Sequence, residues 1–489
     1  MEKRWILLTD HYEGLEKKAI NMLYAEMAGH LPYVLSVRST QSVTEGELAD
    51  ANIILVGRAD ENELIVKCQK HELINLPQRS EGYAVYVGES IFGAENQMIV
   101  IAGFDTAGVL YGCMDFCNKY LGDVIYRGKN IWTDETFDQA LNKALLPWQA
   151  STAPTIRRRA IWTWGHVIYD YRGFFENMAR LRLNEIIIWI EVAPRNAKDV
   201  GDYAHSLNIK VIWGFAWGWD TSNCKNVLDR YGDQLIAEIK ERVLKTYEKE
   251  YSQTGADGIY FQTFTEHSVE EIGGKPVAQI VTELVNDISA SLFEKYPDLQ
   301  IQFGLHATSV RKKLEHLKKV DKRIHIVWED CGSFPYNYLS DNVEGFDETV
   351  AITEQTLKLR GSDEKWGAVL KGMLNLDWAT FEHFSAPNIL GERTGSYIKQ
   401  RQLKKDRIWK LQQAGWLKNA EYVRKIIATV ASFGKEDTVV EALVEDAMLG
   451  NQITFPTALY AEMLWTPNRD AMEMVEQVAK YPCVNFSNL

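Results

Sequence analysis

An apolar run that ends in a carboxylate stands near the middle of the 489-residue sequence. The stretch Gly255 to Glu266 reads GADGIYFQTFTE, a turn followed by a short β-prone run and then polar residues. A buried parallel strand has such an uninterrupted apolar run, and groups at the carboxyl ends of barrel strands meet in one pit. Glu266 is therefore a candidate catalytic acid. The alternative is that Glu266 only caps the next helix, because Thr265 and Ser268 are both suitable N-cap residues.

A second acidic position follows another predicted strand, in IVWEDCGSFPY. Hydrolysis of a glycosidic bond needs two carboxyl groups, one protonated to release the leaving oxygen and one ionised as nucleophile or base. Glu329 and Asp330 are the candidates for the second group. Consecutive residues that leave a strand point to opposite sides, so we expect one of them to face the pit and favour Asp330. The alternative for both is a helix cap or a buried ion pair with Arg195 or Arg393.

Polar and aromatic residues follow nearly every other predicted strand. Nine of the fifteen tryptophans fall between residues 151 and 395, most of them at strand ends. Several tryptophans with carboxylates between them favour stacking on the apolar faces of sugar rings. The candidate substrate-binding residues are Trp162, Trp164, His166, Glu191, Arg195, Trp217, His267, His306, Asp377 and Trp378.

Short strands alternate with amphipathic helices between residues 151 and 395, which is typical of a parallel sheet. The predicted strands are Arg158 to Trp162, Glu185 to Ile190, Ile209 to Trp213, Asp257 to Phe261, Gln300 to Gly304, Arg323 to Trp328 and Val369 to Leu374. Seven repeats are clear and an eighth strand is not evident. No glycine-rich nucleotide-binding turn follows these strands, so the pattern predicts a (β/α)8-type TIM barrel rather than an open sheet.

Two further regions flank the barrel. Residues 1–145 alternate strand-like and helical runs and predict a small α/β domain, followed by the linker-like LLPWQASTAP. Residues 396–489 predict a helical region, including an acidic amphipathic stretch from Asp437 to Met448. These helices could pack on the barrel or on a second subunit, so a homodimer through them is one expectation.

The amino-terminal domain carries a family resemblance. The segments EGYAVYVGES and QMIVIAGFDTAGVLYGCMDFCNKYLGD include the pattern A-G-x-x-Y-G at Ala107, Gly108, Tyr111 and Gly112. This pattern resembles the α/β domain that precedes the catalytic barrel in α-glucuronidases and β-N-acetylhexosaminidases. The resemblance implies a glycoside hydrolase whose amino-terminal domain is structural and whose catalytic residues lie in the barrel.

The same resemblance bears on the candidate acids. Glu266 matches the glutamate acid that closes the fourth strand in α-glucuronidases, which carry the base on later strands and invert the anomeric centre. Hexosaminidases place two adjacent acids at this strand end and use the acetamido group of the substrate as nucleophile. Here Thr265 precedes Glu266, which disfavours that mechanism. WEDCGSFPY matches no pattern of these families, so the base and a uronic-acid specificity both stay open.

Composition excludes several other classes of protein. A formal net charge of −13 argues against a nucleic-acid partner. There is no H-x-x-x-H or H-E-x-x-H pair for a metal and no G-x-S-x-G elbow for a serine hydrolase, so we expect neither metal nor cofactor. Six cysteines without a C-x-x-C pair are too few for a disulfide framework in so long a chain.

We expect a cytoplasmic protein without a membrane partner. The first apolar run is interrupted at Thr9 and Asp10, and no later run reaches the length of a membrane span. The leading hypothesis is a glycoside hydrolase acting on an oligosaccharide or glycoconjugate fragment, with Glu266 as general acid. The competing hypothesis is a non-catalytic carbohydrate-binding barrel protein, because barrels host many functions.

Overall fold

The computed structural model describes residues 4–29, 31, 33–124, 146–218, 225–265, 270–306, 310–330, 335–336, 345–373, 388–434, 437–444, 449–450 and 452–487. Among the helices in these ranges, none combines the length and the apolar character that a bilayer span requires.

The amino-terminal domain is a mixed six-stranded sheet with helices packed on it. Its strands are β1 (Trp5–Leu8), β2 (Ser36–Arg38), β3 (Asn52–Arg58), β4 (Tyr83–Glu89), β5 (Gln97–Gly103) and β6 (Trp148–Thr152). They lie in the order β2-β1-β3-β5-β4-β6, with β4 antiparallel to both of its neighbours. The helices are Gly14–Ala28, Glu45–Asp50, Glu63–Lys70 and Thr106–Asp115. The predicted α/β domain is confirmed.

The helix that carries the A-G-x-x-Y-G pattern lies close to this sheet. Asp105 caps it by accepting a hydrogen bond from the Gly108 amide at 2.8 Å. A Cβ atom at Gly108 would collide with the carbonyl oxygen of Gly82, and one at Gly112 would lie 2.9 Å from Ile101 Cγ2. The two glycines are therefore needed for the close contact between helix and sheet.

The linker predicted at LLPWQASTAP instead contains the edge strand β6. It pairs with β4 along its whole length, from Val87 opposite Trp148 to Tyr83 opposite Thr152. None of its residues is fully buried. A half-exposed edge strand has no continuous apolar face, and without one the sequence carries no strand pattern.

Eight parallel strands close the barrel. They are β7 (Arg158–Trp164), β8 (Glu185–Trp189), β9 (Lys210–Ala216), β10 (Gly258–Gln262), β13 (Gln300–His306), β14 (Ile324–Glu329), β15 (Trp366–Met373) and β16 (Thr438–Val444). Between β10 and β13 the chain also forms a small hairpin of β11 (Glu271–Ile272) and β12 (Lys275–Pro276). All seven predicted strands overlap a barrel strand, and the predicted TIM barrel is confirmed.

Helical segments surround the barrel. They are Tyr171–Arg180, Ala197–His205, Lys225–Thr246, Val277–Lys295, Arg311–Lys319, Phe346–Leu357 and Gly395–Ser432. Two more helices, Phe455–Trp465 and Ala471–Val478, form the carboxyl-terminal helical region, together with β17 (Ile453–Thr454) and β18 (Val484–Asn485).

The eighth strand corrects one prediction. The stretch Asp437 to Met448 is wrong as a helix, because Thr438–Val444 forms β16 and closes the barrel between β15 and β7. Every residue of this strand is buried. A strand covered on both faces does not alternate, and Glu441 in its middle gives it the pattern of an amphipathic helix. The barrel therefore includes residues beyond 395.

A buried charge cluster joins the three parts of the chain. Arg182, which follows a barrel helix, forms ion pairs with Asp115 of the amino-terminal domain at 3.1 Å and with Glu462 of the carboxyl-terminal region. Lys119 pairs with both acids, at 2.9 and 3.0 Å. Because removing one member would leave a buried charge unpaired, this cluster ties both flanking regions to the barrel.

Candidate active site

The predicted site residues divide into two groups. Glu266, His267, Asp377 and Trp378 lie outside the described residues. The structure describes Glu329, Asp330, Trp162, Trp164, His166, Glu191, Arg195, Trp217 and His306.

Glu329 is the acid whose side chain lies inside the barrel. It is the last residue of β14 and is 4% exposed. Its Oε1 accepts a hydrogen bond from the Tyr260 hydroxyl at 2.7 Å and another from the Gln262 amide. Both donors belong to β10, the strand that leads to Glu266. The buried carboxylate of Glu329 is therefore hydrogen-bonded to β10, and Glu266 follows β10 in the sequence.

A glycine makes room for this arrangement. Gly304 lies in β13, between β10 and β14. A Cβ atom there would lie 2.8 Å from Glu329 Oε1 and would collide with the Tyr260 hydroxyl. The side chains of Tyr260 and Glu329 can meet across β13 because Gly304 has no side chain.

Tyr260 remains a donor at any ordinary pH. Burial raises its pKa well above 10.0, and the neighbouring carboxylate of Glu329 raises it further. Neither Tyr260 nor Gln262 was among the predicted site residues. The alternation within IYFQ places both on the same face of the strand, which is the sequence signal that could have identified them.

Asp330 has a different environment from Glu329. It is 1% exposed, and its Oδ2 accepts a hydrogen bond from the Tyr336 hydroxyl at 2.8 Å. The two adjacent acids thus contact different partners, as expected for consecutive residues that leave a strand. Glu329 contacts the interior residues Tyr260 and Gln262 of β10. Arg195 and Arg393, the proposed ion-pair partners, both have exposed side chains.

Aromatic rings pack beside Glu329. The Trp162 ring centroid lies 4.9 Å from that of Trp164, 5.8 Å from that of Trp189 and 5.9 Å from that of Tyr260. These tryptophans are 4–5% exposed and belong to the cluster inside the barrel. The buried Trp162 Nε1 has no hydrogen-bond partner among the described residues. Trp189, which ends β8, was not predicted, although its position at a strand end matches the rule used for the others.

Trp217 lies elsewhere. Its ring stacks on Phe261 with 3.7 Å between centroids, and Phe261 in turn stacks on Phe303 at 5.0 Å. Phe261 alternates with the interior residue Tyr260, so these rings lie between the barrel and its helices. Trp217 is fully buried there. Its position argues against the predicted role in the wall of the pit.

The remaining predicted binding residues lie at strand ends. His306 ends β13 and is paired in register with Glu329, while His166 follows β7 in a short helical turn. Glu191 follows β8 and accepts a long hydrogen bond, 3.4 Å, from the Ala216 amide. All three side chains are half-buried, whereas that of Arg195 is exposed. His306, His166 and Glu191 therefore lie at or just after the carboxyl ends of three barrel strands.

Comparison with known proteins identifies the fold but no family. No family model matches the sequence, and no curated protein matches it. A GH138 enzyme targeting pectin rhamnogalacturonan II has a similar structure, with a TM-score of 0.50 and 10% identity over 96% of this chain and 52% of that chain. This chain therefore spans about half the length of that enzyme. The GH20 β-N-acetylhexosaminidase from Streptomyces coelicolor A3(2) matches over 98% of this chain and 91% of its own, with 9% identity and a TM-score of 0.47. At 10% identity, the likeness to the GH138 enzyme shows the fold alone.

Proposed function

We propose that this chain is a glycoside hydrolase whose reaction takes place at the carboxyl end of the barrel. The observation that supports it most is the buried carboxylate of Glu329, held by Tyr260 and Gln262 beside a wall of tryptophan rings. Acid and base catalysis of glycoside cleavage requires two carboxyl groups in one site, and Glu266 follows β10 while Glu329 ends β14.

The two acids take different roles in this proposal. Glu266 is the general acid that protonates the leaving oxygen. Glu329 is the ionised partner, because the carboxylate accepts hydrogen bonds from two neutral donors and such bonds favour the charged form. It acts as the base for water or as the nucleophile, with Asp330 as the alternative. His166, Glu191 and His306 bind sugar hydroxyls.

We propose that the substrate contains a uronic acid. The resemblance of the amino-terminal domain to that of α-glucuronidases favours a uronic acid. Recognition of a uronate carboxylate needs a cation, and the exposed side chain of Arg195 follows β8 at the rim of the pit. An α-linked glucuronide is therefore the first substrate to test.

The test is hydrolysis of aryl glycosides and aryl uronides, α and β, by the wild type, Glu266→Gln and Glu329→Gln. Glu271→Gln serves as the control because Glu271 is exposed and lies five residues after Glu266. We expect one sugar to be cleaved, with the control unchanged and each site variant slower by about 10²–10⁴-fold.

Leaving groups of different basicity separate the roles. A dinitrophenolate needs little protonation, so Glu266→Gln should lose less activity on dinitrophenyl glycosides than on methylumbelliferyl glycosides. Glu329→Gln should lose activity equally on both. If nothing is cleaved while sugars still raise the Tm of every variant, the chain is a carbohydrate-binding protein and the proposal fails.

A further inference from the structure

Glu441 is a buried acid that the proposed reaction does not use. It lies in the middle of β16, between Val439 and Leu443, which both belong to the cluster inside the barrel. It is 0% exposed, and neither carboxyl oxygen has a hydrogen-bond partner among the described residues. An isolated charge in such a place is very unfavourable.

Glu441 is level with Glu329 in the barrel. Glu441 is in register with Val369 of β15, and Val369 is in register with Glu329 of β14. The two acids therefore belong to the same rung, two strands apart, and both side chains point inward. Two carboxyl groups in one low-dielectric space do not both ionise at neutral pH.

The charged and titratable groups that face Glu441 come from five other elements. Burial raises the pKa of Glu441 well above 4.5, the charges of Glu185 and Glu329 raise it further, and Arg158 opposes them. Arg158 already forms a paired contact with Glu185 at 2.7 Å. Tyr260 and Tyr460 also interact with Glu441, but their hydroxyls donate to Glu329 and to the carbonyls of Ala160 and Val440.

We propose that Glu441 is a positioning residue that stays a neutral carboxylic acid and thereby leaves Glu329 as the ionised member of a carboxyl pair. Tyr260 and Gln262 donate to Glu329 and so select it as the acid that ionises, while the remaining proton stays on Glu441. The role of Glu329 in catalysis rests on the proposed function. The protonation of Glu441 does not, and it can be tested separately.

Infrared difference spectroscopy gives the direct test. The wild type minus Glu441→Gln spectrum at neutral pH should contain the carbonyl band of a protonated carboxylic acid, and this band should shift in D2O. An absent band would overturn the proposal. Glutamine has the shape of the neutral acid, so Glu441→Gln is the variant least disturbing to the fold.

Glu329→Gln tests whether the two acids form a pair. Removing the neighbouring negative charge should lower the pH at which the Glu441 band disappears. An unchanged midpoint would mean that the two groups do not interact and would overturn the pairing. This experiment keeps Glu441 in place and needs no folded Glu441 variant.

The pH dependence of kcat/KM is a further check on the protonation state of Glu441. Because Glu441 is neutral while Glu329 titrates, the acid-side midpoint should be the same in the wild type and in Glu441→Gln. A lower midpoint in Glu441→Gln would mean that Glu441 is ionised there and would refute the proposal. If no glycoside is cleaved, the proposed function fails, but the infrared result still decides the state of Glu441.

Discussion

Buried charged side chains have different hydrogen-bond partners at the two ends of the barrel. At the amino end, Arg158 forms two 2.7 Å hydrogen bonds with Glu185, contacts His325 at 2.6 Å and pairs with Asp437 at 3.2 Å. Burial and the charge of Arg158 lower the pKa of His325 to about 4, so this histidine is neutral and accepts from the arginine. Towards the carboxyl end, Glu329 contacts neutral donors. The paired charges at the amino end stabilise the barrel, whereas the carboxylate of Glu329 accepts hydrogen bonds from Tyr260 and Gln262.

A cavity of about 440 Å³ opens at the amino end of the barrel. Its lining includes Arg158, Glu185, His205 and Asp257. These groups pair with each other, Arg158 with Glu185 and His205 with Asp257 at 2.9 Å. We therefore assign this cavity to the junction between the amino-terminal domain and the barrel, and not to catalysis.

The largest effect on stability should come from Arg158→Met. It would leave Glu185, which is 0% exposed, without its cation, and breaking a buried pair in this way costs about 3–5 kcal/mol. The free energy of unfolding in denaturant measures the loss. Arg157→Met is the matched control, since the Arg157 side chain is exposed, and should change it by less than about 0.5 kcal/mol. Equal effects of the two substitutions would show that the amino-end network does not stabilise the barrel.

A much smaller and pH-dependent effect is expected for His205→Asn. The hydrogen bond to Asp257 raises the pKa of His205 above 6.5, so its contribution is full below 6.5 and is lost as pH rises through the raised value. Burial raises the pKa of Asp257, but hydrogen bonds from His205 and the Val211 amide outweigh this and lower it below 3.8. That contribution is lost as pH falls through the lowered value.

The pair should therefore stabilise the fold most between about pH 4 and 6.5, the usual carboxyl and imidazole values. Its side chains are 40% and 24% exposed, and solvent screening limits the contribution to about 0.2–1 kcal/mol. Melting temperatures of the wild type and the variant across pH measure it. A difference that does not change with pH would mean that packing, and not charge, is responsible.

The sequence predicts most of the fold because local pattern and topology agree. Seven barrel strands follow from apolar runs separated by amphipathic helices, and Asp105 is recognisable as a helix cap. The strand β16 is not predicted, because burial on both faces removes the alternation of apolar and polar residues. Glu441 in its middle also gives the stretch the spacing of an amphipathic helix. Identifying β16 requires the knowledge that the seven predicted strands need an eighth strand to close the barrel.

The site is less predictable than the fold. Position at a strand end selects Glu329, Trp162, Trp164 and His306 as candidates, but it does not tell which way a side chain points. Trp217 therefore looks equivalent to Trp164 in the sequence, although it packs on Phe261 outside the barrel. The sequence likewise does not decide between Asp330 and Glu329, because the register between strands sets the direction of each side chain.

The central claim is that chemistry belongs to the carboxyl end of the barrel and not to the cavity at the amino end. Its most direct test compares kcat of Glu329→Gln with that of Asp257→Asn, on whichever glycoside the wild type cleaves and with both variants shown to be folded. Each change replaces a carboxylate by its amide, one at each end. We expect kcat of Glu329→Gln to fall by at least about 10²-fold and that of Asp257→Asn to stay near the wild-type value. A folded Asp257→Asn that loses turnover while Glu329→Gln retains it would contradict the account.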